Sequence, residues 1–249
     1  MKSDSTGGGQ SRLEARIYRK AFISADGVET QILRDLEFQL QPGTFDCMIG
    51  PSGCGKTTTM RILLGLDRDF DGVISLPAGG ARVAAVFQEP RLLPWRTVEQ
   101  NIRLALPKGE AVDLNPLLEV LGLQGLRSRY PAELSLGLER RVALARAFAV
   151  MPDILFLDEP FVSLDEHTAD RLRKLLLHLW QEHGTTVLMI THNVREAVQL
   201  ADRLLLIDGR PASIVGEVPV TLPRGERAGE KLWRFVDALN REHPEIVRA

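Results

Sequence analysis

The run Gly50-Pro51-Ser52-Gly53-Cys54-Gly55-Lys56-Thr57 constrains this chain more than any other feature. It stands between a short apolar run, Phe45–Ile49, that reads as a buried strand, and residues 56–66, which read as a helix. In that setting the spacing G-x-x-x-x-G-K-[ST] is a phosphate-cradling loop. Its glycines let the chain curl until successive backbone N–H groups point at phosphate oxygens, and the helix N-terminus adds its partial positive charge. A strand feeding a helix through such a turn predicts an α/β fold.

The remaining sequence repeats that alternation. Short, nearly all-apolar runs at residues 83–87, 154–157, 186–190 and 203–207 read as parallel strands covered on both faces. Helices are expected over residues 138–149 and 166–182. In the second, Leu172, Leu175, Leu176 and Leu179 form one stripe, Asp165 can cap the start and Gly184 follows the end. Residues 89–150 carry helical stretches broken by Pro94, Pro107, Pro116 and Pro131, and are expected to form a helical insert.

Composition excludes several classes. With 249 residues, the chain is one large domain or two modest ones at about 100–200 residues each. A 44% hydrophobic and 26% charged make-up is that of a globular protein, not a disordered or collagen-like one. Lys and Arg number 31 against 33 Asp and Glu, so net charge gives no sign of a nucleic-acid surface. Cys47 and Cys54 are too few for a disulfide framework or a zinc site and suit a reducing cytosol. There is no internal repeat, and no run of the roughly 18 apolar residues that a transmembrane helix needs. Residues 1–12 are polar, hold three consecutive glycines and are expected to be a disordered arm; residues 13–210 are expected to form the main domain. From Pro211 the chain reads as a short tail with one amphipathic helix, marked by Leu232, Phe235, Val236 and Leu239, that packs on its own domain.

Within the phosphate loop, Lys56 is placed to reach the β and γ phosphates of a nucleotide, and Thr57, followed by Thr58, offers a hydroxyl to Mg²⁺. The run Ile154-Leu155-Phe156-Leu157-Asp158-Glu159 ends a buried strand in two carboxylates, at the sheet edge where ligands sit. Asp158 suits a direct or outer-sphere role on Mg²⁺. Glu159 is then placed to orient and deprotonate a water attacking the γ phosphate.

These two motifs define P-loop NTPases, and the residues between and after them narrow the choice. Over most of residues 17–209 the sequence resembles the ATPase subunit of an ATP-binding-cassette (ABC) transporter. Val86-Phe87-Gln88-Glu89-Pro90 resembles that family's Q-loop, with Gln88 contacting Mg²⁺ or water and sensing the transmembrane partner. Leu157-Asp158-Glu159-Pro160-Phe161 followed by Ser163-Leu164-Asp165 resembles its second acidic motif and D-loop, which makes Asp165 a nucleotide-site candidate. Ile190-Thr191-His192 resembles its switch histidine, and residues 141–147 its post-signature helix. The resemblance implies a RecA-like core of mostly parallel sheet with an antiparallel β edge and an inserted helical subdomain. It implies ATP and Mg²⁺ as cofactors, and catalysis by Glu159, His192 and Lys56. Phe22 is the candidate to stack on adenine, with Tyr18 as the alternative and a plain core aromatic as the other reading.

One motif departs from the family pattern. Where the family carries Leu-Ser-Gly-Gly-Gln, this chain has Leu134-Ser135-Leu136-Gly137-Leu138. In the family this segment touches the ATP held by the opposite subunit, so Ser135 and Gly137 are candidate contacts. Leu136 is tolerable there only with a negative φ, and Leu138 removes an amide, so weakened closure or slower turnover is expected. Residues 87–98 resemble the importers of nitrate, sulfonate and taurine. That implies two cassettes, two transmembrane permease subunits and an extracytoplasmic solute-binding protein reached indirectly, with the cassette at the cytoplasmic face of the membrane and no nucleic acid involved. A regulatory cassette without hydrolysis, a soluble non-transport ABC ATPase and a P-loop kinase are the rival readings. The short interval from Gln88 to Ser135 speaks against the second, and the D-loop and switch histidine against the third.

Overall fold

The computed structural model describes residues 12–244. The arm expected over residues 1–12 lies, all but Arg12, outside the described residues. Strands β1 (Leu13–Ile23), β2 (Glu29–Leu40) and β3 (Phe45–Ile49) lead into helix α1 (Lys56–Leu63). Then come β4 (Asp71–Ser75) and β5 (Val83–Val86), followed by α2 (Val98–Arg103), α3 (Asn115–Val120) and α4 (Leu136–Phe148). The chain continues through β6 (Ile154–Asp158), α5 (Glu166–His183), β7 (Thr186–Thr191), α6 (Val194–Leu200), β8 (Arg203–Gly209), β9 (Ala212–Pro219) and α7 (Gly229–Glu242).

All nine of these strands join one sheet in the order β4-β1-β2-β9-β8-β3-β7-β6-β5. The half from β8 to β5 is parallel, and the half holding β4, β1 and β2 is antiparallel. The five apolar runs of the sequence are that parallel half. Their alternate side chains divide between two cores: Phe45, Cys47, Leu155, Leu157, Val187 and Met189 face the cluster under α4, α5 and α6. Met48, Phe156, Leu188, Ile190, Leu205 and Ile207 face the cluster shared with β1, β2 and α1. Burial on both faces is why these strands read as continuous apolar runs.

The expected helices hold with small shifts of boundary. Asp165 caps α5 by accepting the Thr168 N–H at 3.0 Å, and Gly184 ends it at φ 62°. The insert over residues 89–150 holds helices and no strand. The stretch from Pro211 differs from the tail read in the sequence: it opens with β9, which pairs antiparallel with β8 inside the sheet. Gly216 and the polar residues of β9 interrupt its apolar alternation, which hid the strand. Helix α7 follows with Leu232 and Leu239 buried against α6 and its neighbours, packed on its own domain as expected.

Candidate active site

The phosphate loop joins the C-terminal end of β3 to α1, at the C-terminal edge of the parallel half. Gly55 caps α1 at φ 109°, a left-handed conformation that suits glycine, and a Cβ there would lie 2.7 Å from Leu33 Cδ2. The first turn of α1 carries no acidic side chain and no side-chain cap. Its free amides and helix dipole are therefore disposed toward an anion. Lys56 is buried and curls back over the loop, donating to Gly50 O at 2.7 Å and to Pro51 O at 2.8 Å.

A cavity of about 430 Å³ opens beside this loop, lined by Phe22, Ile32, Ser52, Gly53, Gly55, Lys56, Thr57, Thr58, Gln88 and Glu159. Nine of those ten residues were candidates from sequence alone. Ile32 was not, because β2 escaped the sequence reading. Phe22, 46% exposed, stands on the cavity wall with Lys20 Nζ 4.6 Å from its ring centroid. Tyr18 does not line the cavity. The Cys54 side chain is buried in the core beneath the sheet, and its N–H turns to Pro51 O at 3.3 Å.

The two carboxylates at the end of β6 take different positions. Asp158 is buried, and Thr57 Oγ1 donates to its Oδ1 at 3.4 Å. Burial, with the neighbouring charge of Glu159, pushes its carboxyl above the usual range, while Thr57 and Lys56 oppose the rise. Glu159 follows at φ 44°, a left-handed value that strains a non-glycine residue and breaks the strand off sharply. Its N–H still donates to Ile190 O at 2.8 Å, so the bend turns the carboxylate into the cavity. His192 Nδ1 lies 3.0 Å from Glu159 Oε1. An anion cradle thus faces a carboxylate with an imidazole behind it, which suits deprotonation of water beside a polyphosphate.

Ser135, Gly137 and Asp165 do not line this cavity. Ser135 is the N-cap of α4, its Oγ accepting the Leu138 N–H at 3.4 Å. Gly137 packs against α5, where a Cβ would meet Thr168 Cγ2 at 2.6 Å. Leu136 is the first residue of α4, 38% exposed and absent from the positive-φ positions, so its backbone meets the condition that its size imposes.

This fold and site define a P-loop nucleoside triphosphatase. The family model of the ABC transporter matches residues 33–162. A Pseudomonas syringae pv. tomato protein named "Aliphatic sulfonates import ATP-binding protein SsuB 2" is 44% identical over 218 residues, covering 86% of this chain and 91% of its own. Its Bacillus subtilis (strain 168) counterpart is 40% identical over 215 residues, covering 83% and 84%. Among solved structures, a dimeric ATP-binding cassette in a post-hydrolysis state bound to ADP and Pi superposes with a TM-score of 0.73 at 23% identity, over 85% of this chain and 100% of that one. The chain belongs to the ABC transporter family, as its ATPase subunit, and its activity is ATP hydrolysis coupled to transport.

Proposed function

We propose that this chain powers an importer of aliphatic sulfonates or a chemically related small anion, such as nitrate or taurine. The single observation that carries hydrolysis is the Glu159–His192 contact at 3.0 Å on the wall of the phosphate-loop cavity. Similarity to the sulfonate-import subunits supports the cargo class. Among the described residues no helix is long and apolar enough to cross a membrane. The cassette works at the cytoplasmic face through permease subunits, with a solute-binding protein delivering cargo on the far side.

Two copies of the chain pair so that each site joins one copy's phosphate loop to the other's Ser135, Gly137 and Asp165. Phe22 stacks on adenine, and the loop amides with Lys56 hold the β and γ phosphates. The residues present fit Mg²⁺: Thr57 and Asp158 offer adjacent oxygens, and no cluster of three acidic, His or Cys side chains competes among the described residues. That donor set matches a small cation that keeps several waters and takes the rest of its shell from phosphate. Bound there with Gln88 near it, the ion would neutralise charge on the transferring phosphoryl group. Glu159 orients and takes a proton from the attacking water, while His192 fixes the Glu159 carboxylate and faces the γ phosphate.

The test is ATP hydrolysis by the chain reconstituted with its permease and solute-binding protein in vesicles. Alkanesulfonates added on the binding-protein side should stimulate phosphate release. No stimulation by alkanesulfonates, taurine or nitrate would refute the cargo class.

A further inference from the structure

Behind the turn that carries His192 lies a buried arginine that belongs to none of the sequence motifs. Arg173, midway along α5, is 4% exposed. Its Nη2 donates to Glu166 Oε1 at 2.6 Å, its Nη1 lies 3.8 Å from Glu196 Oε1, and its guanidinium stands 5.8 Å from the Phe161 ring centroid. Asp170, one turn back, is 4.0 Å away. Three separate elements converge on one cation: the β6–α5 loop, the first turn of α5, and α6.

Glu196 links that cation to the histidine. The Thr191 hydroxyl donates to Glu196 Oε2 at 3.3 Å and accepts the Asn193 N–H at 3.0 Å, while Asn193 Oδ1 caps the Glu196 N–H at 3.2 Å. His192 sits inside this closed ring of contacts, its Nδ1 on Glu159. Glu196 is largely buried with Arg173, whereas Glu166 and Asp170 are exposed; a buried ion pair contributes little net stability compared with apolar residues of equal volume, but losing one partner leaves a desolvated charge.

We propose that Arg173 is a positioning residue for hydrolysis: by holding Glu196 it keeps the Thr191–Asn193 turn in register, so that His192 meets Glu159. Because it also grips Glu166, next to Asp165, and packs on Phe161, the loop that faces the second cassette and the histidine turn move as one body. The inference rests on the role given to His192 above.

The test is a double-mutant cycle on the full chain, measuring kcat and KM for MgATP. Arg173→Met, which keeps length and removes charge, should lower kcat about 10- to 100-fold, the scale of a misplaced catalytic group, with ATP affinity unchanged. Because its effect runs through His192, adding Arg173→Met to His192→Ala should cost nothing further. Multiplied losses in the double variant, or a raised KM with kcat intact, would overturn the proposal. If Arg173→Met does not fold, Glu196→Gln releases the same cation while keeping shape, and enters the same cycle. Should His192→Ala leave kcat intact, the histidine's role and the proposal both fall; if His192→Ala lowers kcat and Arg173→Met leaves it unchanged, the arginine's role alone falls.

Discussion

Gly50 is where the phosphate loop touches the sheet, and a single methyl there tests the packing that shapes the site. A Cβ on Gly50 would stand 2.1 Å from Ile207 O and 2.8 Å from Ile207 Cγ2, where real Cβ atoms keep beyond 3.0 Å. The φ of Gly50 is not among the left-handed values, so the objection is purely steric. Relief requires the loop and β8 to part by about 1 Å, and overpacking on that scale costs about 3 kcal/mol. The nearby rung between Ile49 and Leu206 resists that movement. For a chain of this length each kcal/mol lowers Tm by about 2–4 °C, so Gly50→Ala should melt about 6–12 °C lower. The same displacement carries away the Gly50 carbonyl that holds Lys56 Nζ at 2.7 Å, and a lost contact worth about 1.4 kcal/mol weakens MgATP binding tenfold. Gly53→Ala is the control: nothing lies within 4 Å of its Cβ, and only the strain of φ 77° remains. Thermal melts and calorimetric titration of MgATP read both quantities. Gly50→Ala with unchanged Tm and affinity would refute the steric reasoning.

Three further outcomes follow from the site. Burial raises the Asp158 carboxyl, so the folded chain binds that proton more tightly than the unfolded one, and ionised Asp158 costs stability above its folded pKa. Asp158→Asn should therefore raise the Tm of the nucleotide-free chain at neutral pH, a gain that shrinks as pH falls toward the ordinary carboxylate range, and should abolish the Mg²⁺ dependence of ATP binding; a pH-independent gain would contradict this. Leu136→Gly should raise or preserve the ATPase rate, measured by phosphate release, because Leu136 opens α4 on its exposed side; a collapse would show that the partner cassette is built around the leucine. Burial pushes both thiols up and leaves Cys54 5% and Cys47 0% exposed, so a bulky maleimide should label both slowly, Cys54 first, with ATP slowing Cys54 alone; Cys47 reacting first would contradict the burial order.

What the sequence showed depended on how each element is buried. The five parallel strands were legible because both faces are covered, leaving runs such as residues 154–157 without a polar residue. Strands β1 and β2 were hidden by their charged outward residues, and in β1 a shift of register near Lys20 breaks the alternation that would have marked a strand. Helix α6 has only seven residues, too few to show a helical period. Lys56, Thr57 and Glu159, marked by the phosphate-loop and acidic motifs, lie about one cavity with Gln88 and His192, which only the family resemblance had marked. Arg173 was illegible, since in sequence it is one more charge on a helix, and only the fold brings Phe161 of the β6–α5 loop and Glu196 of α6 to it.

The central claim is that this chain's own Glu159 drives ATP hydrolysis despite the altered signature segment. Phosphate release at saturating MgATP, measured for the chain with its permease and for Glu159→Gln beside it, tests that claim most directly. Steady turnover by the native chain, with loss of turnover and a stable ATP-held dimer in the variant, is the predicted result. Equal rates in the two proteins, or none in either, would contradict it.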